Sequence, residues 1–461
     1  MKLSKLLTLA LVCAFCAPTY AQESLIDIYQ RALANDPAIR EAEATYHALA
    51  ETKPQARALL MPSLNLSASR SNQYSDNASG SFDPILGGTV GSRSISDSDS
   101  HGYSIALNQT LFDWSLYAQL RQADKRVVRA ETDYEAAKQS LLLRVSTTYF
   151  NVLAAEDNLA SAGAARESVA RQLEQAQRRF EVGLIAITDV QQSQAFFDSA
   201  VADEIDAQRQ LATNQELLRE IIGELVTDLA GPTDELPLLS PDPADAEQWV
   251  RTALAQNLTL MSQRLATDIA DEQIDIEKGN RLPTLTLSGG YTDSTRDSTQ
   301  TVFGDQFVGG QRVSTSTQQP VGRSWSIDLR FPIYTGGANR SRVQQSVYQH
   351  RAATQTLERI ARQTERQTRD AYLGVISDIS RVGALRRAVE SNRTALRATE
   401  AGFEVGTQTT VDVLASQNQL RRAETNYFSS RYQYLIGLLT LKQAAGNLTI
   451  TDIEQIDGWL K

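Results

Sequence analysis

Cysteine is nearly absent. The chain of 461 residues holds two, Cys13 and Cys16, both near its start. There Lys2 and Lys5 precede an apolar run from Leu6 to Ala17. Thr19-Tyr20-Ala21 follows, with small residues three and one before a cut ahead of Gln22. This is the pattern of a secretory signal peptide over residues 1–21. Val12 and Phe15 precede the cysteines, so no lipobox is expected. Beyond the leader there is then no disulfide and no thiolate chemistry. No later stretch approaches eighteen apolar residues, so no transmembrane helix is expected. A β-barrel span would escape that test, because its alternating signal is weak per segment. Basic charge is also short. Without Lys2 and Lys5, 43 basic residues face 55 acidic ones, a net charge of −12. That gives no electrostatic case for nucleic acid. The three histidines, His47, His101 and His350, lack ligand spacing, so no metal site is expected. No Ser-His-Asp set, phosphate loop or paired catalytic carboxylate appears, which points away from an enzyme and from any cofactor.

Proline is missing from two long tracts, between Pro84 and Pro232 and after Pro332. These are where helices can run unbroken. The spacing predicts helices from Asp113 to Val182, from Asp189 to about Ala230, from Gly337 to Phe403 and from Val411 to Gly446. Leu141, Val145, Thr148, Val152, Ala155 and Leu159 step by four and three, a coiled-coil seam. Each half opens with a predicted helix of about thirty residues, Ser24 to Lys53 and Ala246 to Lys278.

The halves repeat. Pro62-Ser63-Leu64-Asn65-Leu66-Ser67 matches Pro283-Thr284-Leu285-Thr286-Leu287-Ser288, and Ile105 to Phe112 falls on Ile327 to Tyr334. The chain reads as a duplicated unit, 22–230 and 246–447. A proline-rich linker at 231–245 joins the copies, and 448–461 forms a tail. Within each copy two strands alternate apolar and polar residues. Leu64 and Leu66 alternate with Asn65 and Ser67. Trp325, Ile327, Leu329 and Phe331 alternate with Ser326, Asp328 and Arg330. Between the strands of each pair, Ser71 to Ser100 and Thr292 to Gly322 are rich in Ser, Thr, Asp and Gly and read as solvated loops.

Two stretches stand out. Phe180-Glu181-Val182-Gly183 and Phe403-Glu404-Val405-Gly406 each end a long helical segment, and each has Asp-Val beginning six residues after its glycine, at Asp189 and Asp412. Glycine there is the expected helix stop. Thr188 with Gln191 reads as a capping box for the next helix. Each stretch is the bend of a helical hairpin. It is either an ordinary turn or a functional tip, and Asp412 is either a favourable first-turn charge or a functional carboxylate.

The strands are either half of a soluble sheet or membrane strands. Their length of about nine residues suits a tilted membrane strand. Tyr103, Phe112, Trp114, Tyr291, Trp325, Phe331 and Tyr334 crowd their ends as an interfacial girdle would. Asn108, Asp328 and Arg330 then face a wet lumen. Four strands cannot close a barrel, and open edges are not tolerated in lipid. Two chains would give eight strands and a filled interior; three would give twelve and a passage.

The duplicated order, the Phe-x-Val-Gly tips followed by Asp-Val, and Phe331-Pro332-Ile333-Tyr334-Thr335-Gly336-Gly337 resemble the TolC outer membrane efflux family over essentially the whole exported chain. The resemblance implies a mainly α fold with β. Duplicated long helical hairpins would form an α-barrel, and four strands per chain would enter a 12-stranded β-barrel shared by a homotrimer. It implies an outer-membrane exit duct with a periplasmic helical tunnel, docking a periplasmic adaptor and an inner-membrane ABC or RND-type transporter for multidrug efflux or type I protein secretion. Asp412 would form an acidic ring at the periplasmic entrance. Thr188, Asp189, Phe403 and Gln408 would belong to the network holding it shut. Val182, Gly183, Leu184, Val405, Gly406 and Thr407 would be adaptor-docking tips. The family pattern has Tyr where Phe403 stands, Arg where Gln408 stands and a second carboxylate where Ala415 stands. The closed state is therefore expected to be held more weakly, and the acidic ring to be single. The competing reading is an exported, elongated coiled-coil scaffold without a channel.

Overall fold

The computed structural model describes residues 22–83, 85, 87–232, 236–303 and 310–460. The expected signal peptide, part of the linker, part of the second loop and Lys461 lie outside them. The chain divides into two compact units. The first gathers the chain up to His47, Arg129–Arg264 and the chain from Gln355 onward; the second gathers Ala48–Val128 and Leu265–Thr354.

The element order runs twice. Helices α1 (Leu25–Asn35), α2 (Pro37–Ala50) and α3 (Thr52–Ala58) lead to strands β1 (Ser63–Asp83) and β2 (Gly88–Phe112). Helices α4 (Trp114–Glu181) and α5 (Ile187–Ile222) follow. Then α6 (Ala246–Gln256) and α7 (Leu258–Gly279) lead to β3 (Thr284–Phe303), β4 (Gln311–Gln318) and β5 (Val321–Arg330). Helices α8 (Ala338–Glu404), α9 (Thr410–Ala445) and α10 (Ile450–Asp457) complete the chain.

Three expectations are corrected. The opening helix of each copy is broken. Asp36 is extended (ψ 121°), as a residue before proline must be. Asn257 is extended too (ψ 119°), and its side chain caps the amide of Leu260 at 3.0 Å. The serine-rich tracts are largely strand. β1 pairs with β2 from Ser63↔Asn108 to Asp83↔Gly88, and β2 pairs with β3 up to Arg93↔Phe303. Backbone ladders carry this pairing, helped by cross-strand side-chain pairs. Ser67 meets Ser104 and Ser71 meets Ser100, each at 2.8 Å. Arg70 pairs with Asp99 at 2.7 Å and Arg93 with Asp76 at 2.6 Å. Finally, no capping box forms on Thr188. The N-cap of α5 is Ala186, without a side-chain hydrogen bond, so Thr188 lies inside the first turn.

In the first unit, the seam residues Leu141, Val145, Val152 and Ala155 are buried, with Tyr149, Phe150, Tyr434, Leu435 and Leu439 in the same core. Two buried tyrosines pin the chain between the copies. The Tyr149 hydroxyl donates to the Ala230 carbonyl at 2.7 Å. The Tyr434 hydroxyl accepts from the Leu239 amide at 2.9 Å and faces its carbonyl at 3.0 Å.

The second unit carries one antiparallel sheet ordered β1-β2-β3, with β5 against the first half of β3 and β4 against its second half. The break between β4 and β5 falls at Gln319-Pro320, where proline has no N–H for the ladder. Among the described residues no helix is long and apolar enough to cross a membrane.

Candidate functional site: two helical tips and a two-faced sheet

The two tips, both in the first unit, share one backbone solution. Gly183 (φ +73°) and Gly406 (φ +81°) sit just past the ends of α4 and α8. The Leu184 amide returns to the Arg179 carbonyl and the Thr407 amide to the Gly402 carbonyl, both at 2.8 Å. This six-to-one closure needs a left-handed residue, hence glycine. The docking candidates stand out in solvent: Val182 is 70 % exposed, Leu184 73 % and Val405 76 %.

The tips differ in how the return helix starts. Thr409 is the N-cap of α9. Its hydroxyl accepts from the Asp412 amide at 3.2 Å, and the Asp412 carboxylate accepts from the Thr409 amide at 2.8 Å and its hydroxyl at 2.7 Å. The Thr409 backbone N–H, and then its hydroxyl, hold the Asp412 carboxyl below the ordinary carboxylate range. Asp412 itself is exposed. The capping threonine is Thr409 and not the expected Thr188. The signal was present as Thr-x-x-Asp, where the first copy has Ala186.

Of the expected lock residues, Phe403 and Gln408 fall around one bend. The Gln408 amide donates to the Gly402 carbonyl at 3.2 Å, and its Cγ would lie 2.7 Å from a Cβ placed on Gly402. Phe403 meets a residue that sequence reasoning missed: the Arg179 guanidinium lies 4.4 Å from its ring centre. No hydrogen bond joins Thr188 or Asp189 to Phe403 or Gln408 among the described residues of the single chain.

In the second unit, register sorts the sheet into two faces. Residues paired across a ladder point the same way. One face carries Leu64, Leu66, Ile105 and Leu107, then Leu285, Leu287, Trp325, Ile327 and Leu329. It is open in the single chain: Leu66 is 73 % exposed and Trp325 78 %. Tyr103 and Tyr291 pair at its upper rim, 6.0 Å apart, with the Arg323 guanidinium 5.9 Å from the Tyr291 ring. Beyond that rim the same face turns charged, with Asp99, Arg70 and Asp76. The opposite face is mostly polar. Ser63, Asn108, Ser288 and Ser326 lie on one rung, Thr110, Thr286 and Asp328 on the next, and Thr284 with Arg330 beyond. Asn108 accepts from Ser288 at 3.2 Å and Asp328 from Ser326 at 2.8 Å. The three lumen candidates therefore share a face.

A sheet apolar on one exposed face, polar on the other, banded by aromatics and joined to hairpins of very long helices, is the architecture of an outer-membrane channel. The chain belongs to the outer membrane efflux protein family, whose profile matches residues 28–224 and 249–447. The outer membrane protein TolC of Vibrio cholerae is 35% identical over 441 residues, covering 95% of this chain and 94% of that protein. The alkaline protease secretion protein AprF of Pseudomonas aeruginosa is 28% identical over 438 residues, covering 94% and 86%. The solved structure of the outer membrane protein VceC from Vibrio cholerae shares the fold, with a TM-score of 0.71 over 92% of this chain and 96% of that one at 18% identity.

Proposed function

We propose that three copies of this chain close a twelve-stranded barrel and act as an exit duct through the outer membrane, with the long hairpins forming its periplasmic tunnel. The observation that carries this is the exposed apolar face between two free edges. Among the described residues β1 pairs only with β2, and β5 only with β3. An apolar face of this extent needs a cover, and lipid is a cover only if the edges close. From Leu285 to Tyr291 the apolar band runs about 20 Å along the strand. Neighbouring copies supply the missing edges, and the polar face with Asn108, Asp328 and Arg330 becomes the lumen.

In this reading residues 22–230 and 246–447 are the two copies of the unit, joined at 231–245 and followed by the tail 448–461. Asp412 contributes one carboxylate per chain to a ring at the entrance, which favours cations. Thr188, Asp189, Phe403 and Gln408 act between neighbouring hairpins to hold it closed. Val182, Gly183, Leu184, Val405, Gly406 and Thr407 receive a periplasmic adaptor, which couples the duct to an inner-membrane ABC or RND-type transporter for drug efflux or type I protein secretion.

Gly406→Pro tests the docking role. Proline fixes φ near −65°, against +81° here, so the tip must rearrange while the sheet is untouched. Export should fail with the assembly intact. Normal export in that variant would remove the tip from the docking surface.

A further inference from the structure

Away from the tip turns, the first unit contains a cavity of about 220 Å³ where four helices meet. Leu414, Gln417, Asn418 and Arg421 reach it from α9 at i, i+3, i+4 and i+7, one helix face. Phe196, Ala200 and Asp203 reach it from α5 at the same kind of spacing, and Leu396 and Glu400 from α8. The space exists because the facing positions are small: Ala164, Ala165 and Ser168 on α4 and Ala200 on α5 leave room that larger side chains would fill.

Its polar lining is unbalanced. Asp203 is paired with Arg421 at 2.8 Å, and Glu424 with Arg393 at 3.0 Å. Glu400 meets no cation among the described residues. The side-chain oxygens of Gln417 and Asn418 are buried without a hydrogen-bond partner. Buried acceptors are satisfied in nearly all folded proteins, and exceptions need an explanation. Beside the hydroxyls of Ser161, Ser168 and Ser199, two such acceptors and one unpaired carboxylate next to Val169, Phe196, Leu396 and Leu414 suit a small apolar body bearing an N–H-rich cation.

We propose that this cavity is a binding site for small amphipathic cations of the aryl-ammonium or aryl-amidinium class. The apolar body packs against Phe196, Leu396 and Leu414. The cationic head takes the Glu400 carboxylate and the amide oxygens of Gln417 and Asn418. Because all four helices contribute, an occupant ties the α4–α5 hairpin to the α8–α9 hairpin, and occupancy stabilises their packed arrangement. Such sites between bundled helices are largely preformed.

The test uses benzamidine as probe on the full-length protein in mild detergent, followed by calorimetric titration and by thermal unfolding. Saturable binding with a rise in Tm is expected, and the uncharged isostere benzamide should bind far more weakly. Glu400→Gln should weaken benzamidine by about tenfold or more, the scale of one lost charge-assisted hydrogen bond. Ala200→Leu, which fills the cavity without touching the polar groups, should abolish binding while keeping the helical circular dichroism signal. Absence of saturable binding, or unchanged affinity in both variants, would overturn the site. So would loss of binding in Asp412→Asn with full binding in Glu400→Gln, which would place the probe at the acidic tip.

Discussion

The guanidinium of Arg179 lies 4.4 Å from the centre of the Phe403 ring. The two residues belong to different hairpins. Arg179 sits four residues before Gly183 and Phe403 three before Gly406, so the contact fastens the two tips to each other just behind their turns. Arg179 also supplies the carbonyl that closes its own turn. The contact gives Phe403 a role that needs no hydroxyl.

A cation over an aromatic face contributes about 0.5–1 kcal/mol at an accessible site. Phe403→Leu should therefore shift the balance between tied and loosened tips by roughly two- to fivefold. Single-channel recordings should show a higher resting conductance or more frequent openings. Phe403→Tyr keeps the ring face and should not raise the resting conductance.

Asp412 should govern ion preference. Asp412→Ala is expected to lower the cation preference of the duct and to weaken block by multivalent cations. Because Thr409 holds the carboxyl below its ordinary range, the charge, and with it the block, should persist as pH falls through the range where an ordinary aspartate titrates. Thr409→Ala removes the hydroxyl and keeps the amide, so the pH at which block fades should move up. A block with unchanged pH dependence in Thr409→Ala would detach Asp412 from it.

Glu156, on α4, is pushed up to about 7, first by burial and then by the nearby charges of Asp157 and Asp228. The folded chain thus holds a proton there that the unfolded chain releases near 4.5. The unfolded state binds fewer protons between these values, so stability from this group falls as pH rises from about 4.5 through 7. Glu156→Gln should raise Tm at pH 8 and leave it nearly unchanged at pH 4. An equal shift at both pH values would mean that the substitution acts through packing alone.

Much of the fold was legible because long periodic tracts and glycine stops carry strong local signals. The 68 residues of α4 and the left-handed Gly183, Gly406 and Gly446 follow from proline-free periodicity and helix-stop chemistry. The apolar alternation of Leu64, Leu66, Leu285 and Leu287 gave the sheet face. The upper halves of the strands were not legible. Ser71 to Ser100 has low strand propensity, and its pairing comes from ladder bonds to partners far along the chain. The break at Asp36 had Pro37 as a marker, whereas Asn257 breaks its helix with no proline beside it. The Arg179 contact left no trace in either local sequence, because it joins residues more than two hundred positions apart.

In the proposed duct, this sheet closes only with copies of itself. The direct measurement is the mass of the protein extracted from outer membranes in mild detergent, corrected for bound detergent. Three chain masses per particle are expected. A single chain mass, in a particle that stays dispersed when detergent is withdrawn, would contradict the shared barrel and leave the exposed apolar face without its membrane.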